Sequence, residues 1–154
     1  MEEPILNAHN KAEWEPAHTC EHLLNATMVR MFACPRSKNA HIERKKCKCD
    51  YILETCPSME QVEEIQTEVN KAIQADLPVT IEYMRREEAA SIVDLSKLPE
   101  DASDTLRIVR IGDYDACACI GAHVSHTLEI GAFKVLSHDF NDGIWRLRWK
   151  VVTQ

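Results

Sequence analysis

Two pairs of potential metal ligands stand about a hundred residues apart in this chain, with the same internal spacing. His18-Thr19-Cys20-Glu21-His22 sets two imidazoles four residues apart, and Cys119-Ile120-Gly121-Ala122-His123 sets a thiol and an imidazole at the same offset. On a helix that offset puts both side chains on one face, one turn apart. Three nitrogens and one sulfur form a set that a single tetrahedral zinc ion accepts. A His-rich set can also hold nickel or cobalt. The cysteines offer a competing arrangement. Cys47-Lys48-Cys49 and Cys117-Ala118-Cys119 are both Cys-x-Cys, and on strands each pair would face one way. A chelating zinc loop usually has roughly two to four residues between its thiols, which this alternative lacks.

The elements that must position these residues can be read in outline. Pro16 suits the first turn of a helix, and Leu24, Met28 and Met31, with Leu23 and Thr27 beside them, predict a helix over 18–32. Cys34 to Asn39 is a loop. Ala40 to Leu53 reads as extended, with Cys47, Cys49, Tyr51 and Leu53 on one face and Lys46, Lys48 and Asp50 on the other. Ser58 with Gln61 forms a capping box. Met59, Val62, Ile65, Val69, Ala72 and Ile73 then follow at helical spacing to about Ala75. Pro78–Met84 predicts a strand, Arg86–Ala90 a short helix, and Leu98–Asp104 an acidic loop. Leu106–Ile111 alternates as a strand. Glu129–Ser137 and Ile144–Val152 predict a hairpin across 138–143, with Trp145, Leu147, Trp149 and Val151 on one face of its second strand. This order implies an α+β fold, with helices packed on a mostly antiparallel sheet in one two-layer domain. Residues 1–15 form a polar lead-in and 16–154 the domain.

At 154 residues the chain can bury a core without staples, and 45% hydrophobic with 28% charged residues is ordinary for a globular domain. No signal peptide or membrane-length apolar run is readable. Seven cysteines, an odd number, without a secretory signal point to reduced thiols and the cytoplasm. A net charge of -7 disfavours non-specific binding to DNA. An RNA partner would have to meet local basic patches, and there are two: Arg44, Lys45, Lys46 and Lys48, and Arg146, Arg148 and Lys150.

The wording around the two ligand pairs adds to their spacing. His18-Thr19-Cys20-Glu21-His22-Leu23-Leu24 resembles the HTAxHLL opening of the editing domain shared by alanyl- and threonyl-tRNA synthetases. Asp115 to Val124 resembles that family's second block, whose alanyl-type core reads CxGTHV, and Thr127 to Leu136 resembles its continuation TgEIGxfKIl. Leu106 to Asp115 matches the strand leading into the block. The resemblance runs from about Pro16 to the C-terminus. With no aminoacylation or anticodon domain, the chain is similar to the short free-standing alanyl-tRNA editing proteins of the AlaX type. The resemblance implies hydrolysis of mischarged tRNA(Ala), chiefly seryl- and sometimes glycyl-tRNA(Ala), and recognition of the tRNA acceptor end. It also implies zinc held by His18, His22, Cys119 and His123. Two positions depart from the family: Ala122 where the alanyl type commonly has Thr, and Arg44-Lys45-Lys46-Cys47 where it has a Gln-Lys-Gly-Ser-like stretch lining the amino-acid pocket.

A metal at this site could activate water, polarise the ester carbonyl, anchor the substrate amine or hold the site's shape. Four protein ligands close a tetrahedral shell and favour positioning. Glu21 and Arg44 are candidate catalytic residues beside it. On a helix, however, Glu21 points about 100° away from His22, as a solvated carboxylate would. His126 reads as a surface histidine, Cys20 and Cys34 as core, and Cys117 as either a thiol near the site or a small buried hydrophobe. Three functions follow: alanyl-type deacylation, deacylation of a different aminoacyl ester, and metal-stabilised RNA binding without hydrolysis.

Overall fold

The computed structural model describes residues 14–92 and 104–153. The expected acidic loop lies outside them except for Asp104, as does the lead-in except for Trp14 and Glu15. Helix α1 spans Glu15–Phe32, with Pro16 in its first turn as its fixed φ favours, and ends on Ala33 in the left-handed region. Strands β1 (Asn39–Ile42) and β2 (Cys47–Ile52) follow, then α2 (Met59–Gln74), β3 (Val79–Arg85), the short α3 (Arg86–Ala89), β4 (Thr105–Ile111) and β5 (Asp115–Ala118). A single turn of 3-10 helix at Thr127–Ile130 leads into β6 (Ala132–Asn141) and β7 (Ile144–Val152).

The α+β reading holds, and among the described residues every strand pairing is antiparallel, but the strands form two sheets. One has four strands in the order β1-β2-β7-β6, and the other has three in the order β3-β4-β5. The main core lies between α1, α2 and the four-stranded sheet. Leu23, Leu24 and Met28 from α1 and Ile65, Val69 and Ile73 from α2 meet Cys47, Cys49 and Tyr51 of β2 and Trp145, Leu147 and Trp149 of β7. Fully burying an aliphatic side chain of this size contributes roughly 1.5–3 kcal/mol. A smaller cluster of Ala89, Leu106 and Ile108 joins α3 to the three-stranded sheet. Among the described residues no helix is long and apolar enough to cross a membrane.

Four expectations need correction. The extended run over 40–53 is a hairpin, since Ile42 pairs with Cys47 and Glu43 to Lys46 make its turn. Met59 opens α2 rather than its apolar stripe; as the first helical residue it projects away from the core and is 81% exposed. The capping box of Ser58 and Gln61 is formed as read. The strand expected from Glu129 starts at Ala132, because the Glu129 carboxylate accepts the N–H groups of Ser125 and His126 and caps the 3-10 turn. The hairpin loop expected over 138–143 is only Asp142-Gly143, both with positive φ as a tight primed turn requires. Leu136 bulges from β6 and shifts the side-chain phase, so Phe133 and Val135 face inward before it and His138 and Phe140 after it.

Candidate metal centre

Helical periodicity brings His18 and His22 to one face of α1, both at least 96% buried, with ring centroids 5.1 Å apart. Cys119 and His123 come from the loop after β5, which has no regular structure. Their four-residue spacing is therefore not helical, and the loop is shaped by other contacts. The His123 ring stacks on His18 at 4.1 Å and meets His22 edge-on at 4.6 Å. Cys119 Sγ lies 3.4 Å from His18 Nε2. Ligand atoms of His18, His22, Cys119 and His123 all lie within 4.8 Å of one another. No other such group forms among the described residues.

Each imidazole has its Nδ1 turned to the chain. His18 Nδ1 lies 3.0 Å from the carbonyl oxygen of Ala122, His123 Nδ1 lies 2.9 Å from Thr19 Oγ1, and His22 Nδ1 lies 3.4 Å from the Asp115 carboxylate. An Nδ1–H hydrogen-bonded as at His18 and His123 fixes the tautomer and leaves Nε2 to bind an ion, and the Asp115 carboxylate faces His22 Nδ1 at ion-pair distance. Three such rings and one thiol fit a tetrahedral metal. Burial pushes the Cys119 thiol up to about 12, against the pull of the Gly121 backbone N–H. Binding a metal there must therefore release the thiol proton.

Three features that shape the loop were not read from the sequence. Gly121 packs directly on the His18 ring. Thr19 accepts the Val124 N–H at 3.2 Å as well as meeting His123, which ties the loop to α1 between the two helical histidines. Arg107 on β4 donates from Nη1 to the carbonyls of Cys119 at 2.8 Å and Gly121 at 2.9 Å. Further along, buried Thr127 Oγ1 donates to Ala72 O and accepts the Leu77 N–H, anchoring the segment to the end of α2. A threonine after a histidine and an arginine inside a strand pattern carry no local sign of these tasks.

Asp115 is the other feature beyond sequence reading. Burial alone would raise its carboxyl, yet the Arg36 guanidinium, together with His22, holds it below the usual carboxylate range. Arg36 grips it bidentately, at 2.6 and 3.1 Å.

The remaining candidates are placed as follows. Glu21 is half-buried on α1, and its donor is not among the four that converge. Arg44 is exposed, with its guanidinium 5.1 Å from the centre of the Trp14 ring. Trp14 O accepts the His18 N–H, so the β1–β2 turn stands beside the end of α1 that carries His18. The four-cysteine alternative is not assembled: Cys47 and Cys49 are buried under α1 in one sheet, while Cys117 lies in the other. Cys20 and Cys34 are core, as expected, and Cys117 is half-buried. His126 is a surface residue beside Asp76 and Glu129.

The two basic clusters meet at Lys46, Lys48 and Arg148. Lys48 pairs with Arg148 and Asp50 with Arg146 across β2 and β7, and Lys134 pairs with Lys150 across β6 and β7. Their side chains share the sheet face opposite the core. The two arginines are already engaged there. Arg146 binds Asp50 at 2.9 and 3.0 Å, and Arg148 binds Asp139 at 2.8 Å. Lys45 and Lys46 are exposed in the turn, and Lys46, Lys48, Arg148, His41 and Glu43 line a hollow of about 300 Å³.

Residues 106–148 match the model of the threonyl and alanyl tRNA synthetase second additional domain. The chain is 32% identical over 133 residues to the alanyl-tRNA editing protein AlaX-L of Pyrococcus horikoshii, covering 86% of this chain and 32% of that protein. It is 31% identical over 151 residues to an alanine–tRNA ligase of Methanococcus maripaludis, covering 94% of this chain and 17% of the ligase. A Halorhodospira halophila alanine–tRNA ligase is 30% identical over 120 residues, which cover 77% of this chain and 14% of the ligase. The chain thus spans a third or less of the length of these relatives.

Proposed function

The chain belongs to the family of the threonyl and alanyl tRNA synthetase second additional domain, on its alanyl-type side, and from that premise we propose that it hydrolyses the ester of mischarged tRNA(Ala), seryl- or glycyl-tRNA(Ala), at a zinc centre formed by His18, His22, Cys119 and His123. The observation that carries this reading is the convergence of those four donors, from two segments whose wording is that of the editing family.

A zinc ion held there would supply Lewis acidity, polarising an ester carbonyl or an attached water. The chain's own contribution is position. Ala122 O, Thr19 and Asp115 hold the three rings by Nδ1, and Arg107 fixes the backbone between Cys119 and Gly121. Four protein donors would fill a tetrahedral shell, which favours orientation of the substrate over delivery of a bound water. The tRNA acceptor end would approach along the cationic β1–β2 turn, whose Arg44 lies against Trp14 at the start of α1. In an acidic protein such a turn attracts phosphate.

One observation favours a change of aminoacyl group with the chemistry retained. Ala122 is exposed and offers only a methyl group where the alanyl type commonly carries a hydroxyl. A pocket that loses a hydrogen-bonding group loses discrimination for a substrate hydroxyl.

Incubation with seryl-, glycyl- and alanyl-tRNA(Ala) and with seryl-tRNA(Thr) decides among the readings. Faster ester loss from seryl- or glycyl-tRNA(Ala) is expected. Preference for seryl-tRNA(Thr) would favour the altered specificity. Loss at the buffer rate on all four, with tRNA still bound, would overturn hydrolysis and leave an RNA-binding module.

A further inference from the structure

Arg36 and Asp115 form a buried ion pair against the back of His22. After α1 ends on left-handed Ala33, the chain turns back along the helix. The returning segment is pinned where Cys34 Sγ donates to Met28 O and the Ser37 N–H donates to Asn25 Oδ1. Arg36 is thereby carried to the first residue of β5, where both its Nη atoms meet both oxygens of Asp115. The side chain of Arg36 is 17% exposed and that of Asp115 only 5%. Oδ2 of Asp115 stands 3.4 Å from His22 Nδ1. Asp115 also begins the strand that delivers Cys119, so one carboxylate touches a ligand on α1 and starts the strand that leads to a ligand on the loop.

We propose that Arg36 and Asp115 are positioning residues of the metal centre. Asp115 accepts the Nδ1–H of His22 and so presents its Nε2 inward, and the planar fork of Arg36 fixes the carboxylate that does so. Arg36 acts only through Asp115. A carboxylate on a ligating imidazole sets both ring orientation and basicity, and a bidentate guanidinium fixes the plane of that carboxylate. This inference rests on the reading that His18, His22, Cys119 and His123 hold a metal ion.

Cobalt(II) tests it, because its visible absorption reports tetrahedral coordination without any turnover. The intact chain is stripped with chelator and titrated with cobalt against a competing chelator, and urea melts of the metal-free proteins are run in parallel. Asp115→Ala and Arg36→Met are each expected to weaken cobalt affinity about 10–100-fold. Asp115→Asn, which keeps one acceptor, and Arg36→Lys, which keeps the charge, should each recover part of the loss. The double variant Arg36→Met/Asp115→Ala should lose no more than the worse single variant, because the two residues act in series. Affinities within about threefold of wild type in Asp115→Ala and Asp115→Asn, with a lowered urea midpoint, would overturn the proposal by showing a merely structural pair. Losses that add in the double variant would overturn the series arrangement. A wild-type chain that takes up no cobalt would overturn the metal reading itself, and this proposal with it.

Discussion

Gly121 lies so close to His18 that a Cβ there would stand 2.7 Å from Nδ1 and nearer still to Cε1. The His18 ring is held between the Ala122 carbonyl and the Cys119 sulfur, so it has nowhere to retreat without leaving the ligand set. Gly121→Ala should lower cobalt or zinc affinity about 10–100-fold, read by competition titration, while far-UV circular dichroism stays near wild type. Unchanged affinity would mean that the loop yields instead.

Thr19 meets both His123 and the Val124 N–H. Thr19→Val keeps the shape but leaves two buried groups without this partner, each at roughly 1–3 kcal/mol. The expected result is a lower urea midpoint together with weaker metal binding; Thr19→Ser should restore most of both. A valine variant with wild-type metal affinity would show that His123 orients itself.

Removing the metal should loosen the whole domain, since two donors lie on α1 and two on the loop after β5. Ligand binding to the folded state alone stabilises it by about 2.7 kcal/mol at a hundredfold excess over Kd. Chelation should therefore lower the Tm by several degrees, and zinc should restore it. His22→Ala should abolish this response and any hydrolysis together; hydrolysis that survives metal loss would refute a metal-dependent mechanism.

On the basic face, lysines and arginines should behave differently towards tRNA. Arg146 and Arg148 are held by Asp50 and Asp139. Lys48→Gln should weaken tRNA binding and reduce the salt slope by about one, with little change in stability. Arg146→Gln should leave binding near wild type and lower stability instead. The reverse pattern in filter-binding and urea data would place the arginines at the RNA.

Asp50 supplies a pH dependence. Hydrogen bonding from Arg146 holds its carboxyl below its ordinary value of 3.8, with Asn39 adding to the effect. A depressed folded value stabilises the protein above the unfolded value, and that stability is lost as pH falls through the folded one. Wild type should thus exceed Asp50→Asn in urea midpoint at pH 7, with the two curves converging below about pH 4. A gap that stays constant with pH would remove the ion pair as its cause.

Local patterning made much of this domain legible. A helix repeats every 3.6 residues whatever surrounds it, so His18 and His22 could be set on one face, and the Ser58–Gln61 cap marked the start of α2. Alternation in Ile144–Val152 predicted which side of β7 is buried, because a strand has two faces and only one met the core. Where alternation broke, at the Leu136 bulge, the reading ended the strand at Ser137, four residues short of Asn141, since one extra residue inverts every later side chain.

The sequence by itself determined the four donor types, their two spacings and the α+β class, because these depend on residue chemistry and on short-range periodicity. Only the tertiary structure decided that the donors meet, and that Cys119 and His123 do so from an irregular loop held by Arg107, Gly121 and Thr19. It alone joined Arg36 to Asp115 and Asp115 to His22. Those pairs lie 79 and 93 residues apart along the chain, a separation across which no local preference acts, and only the packing of β5 against α1 closes it.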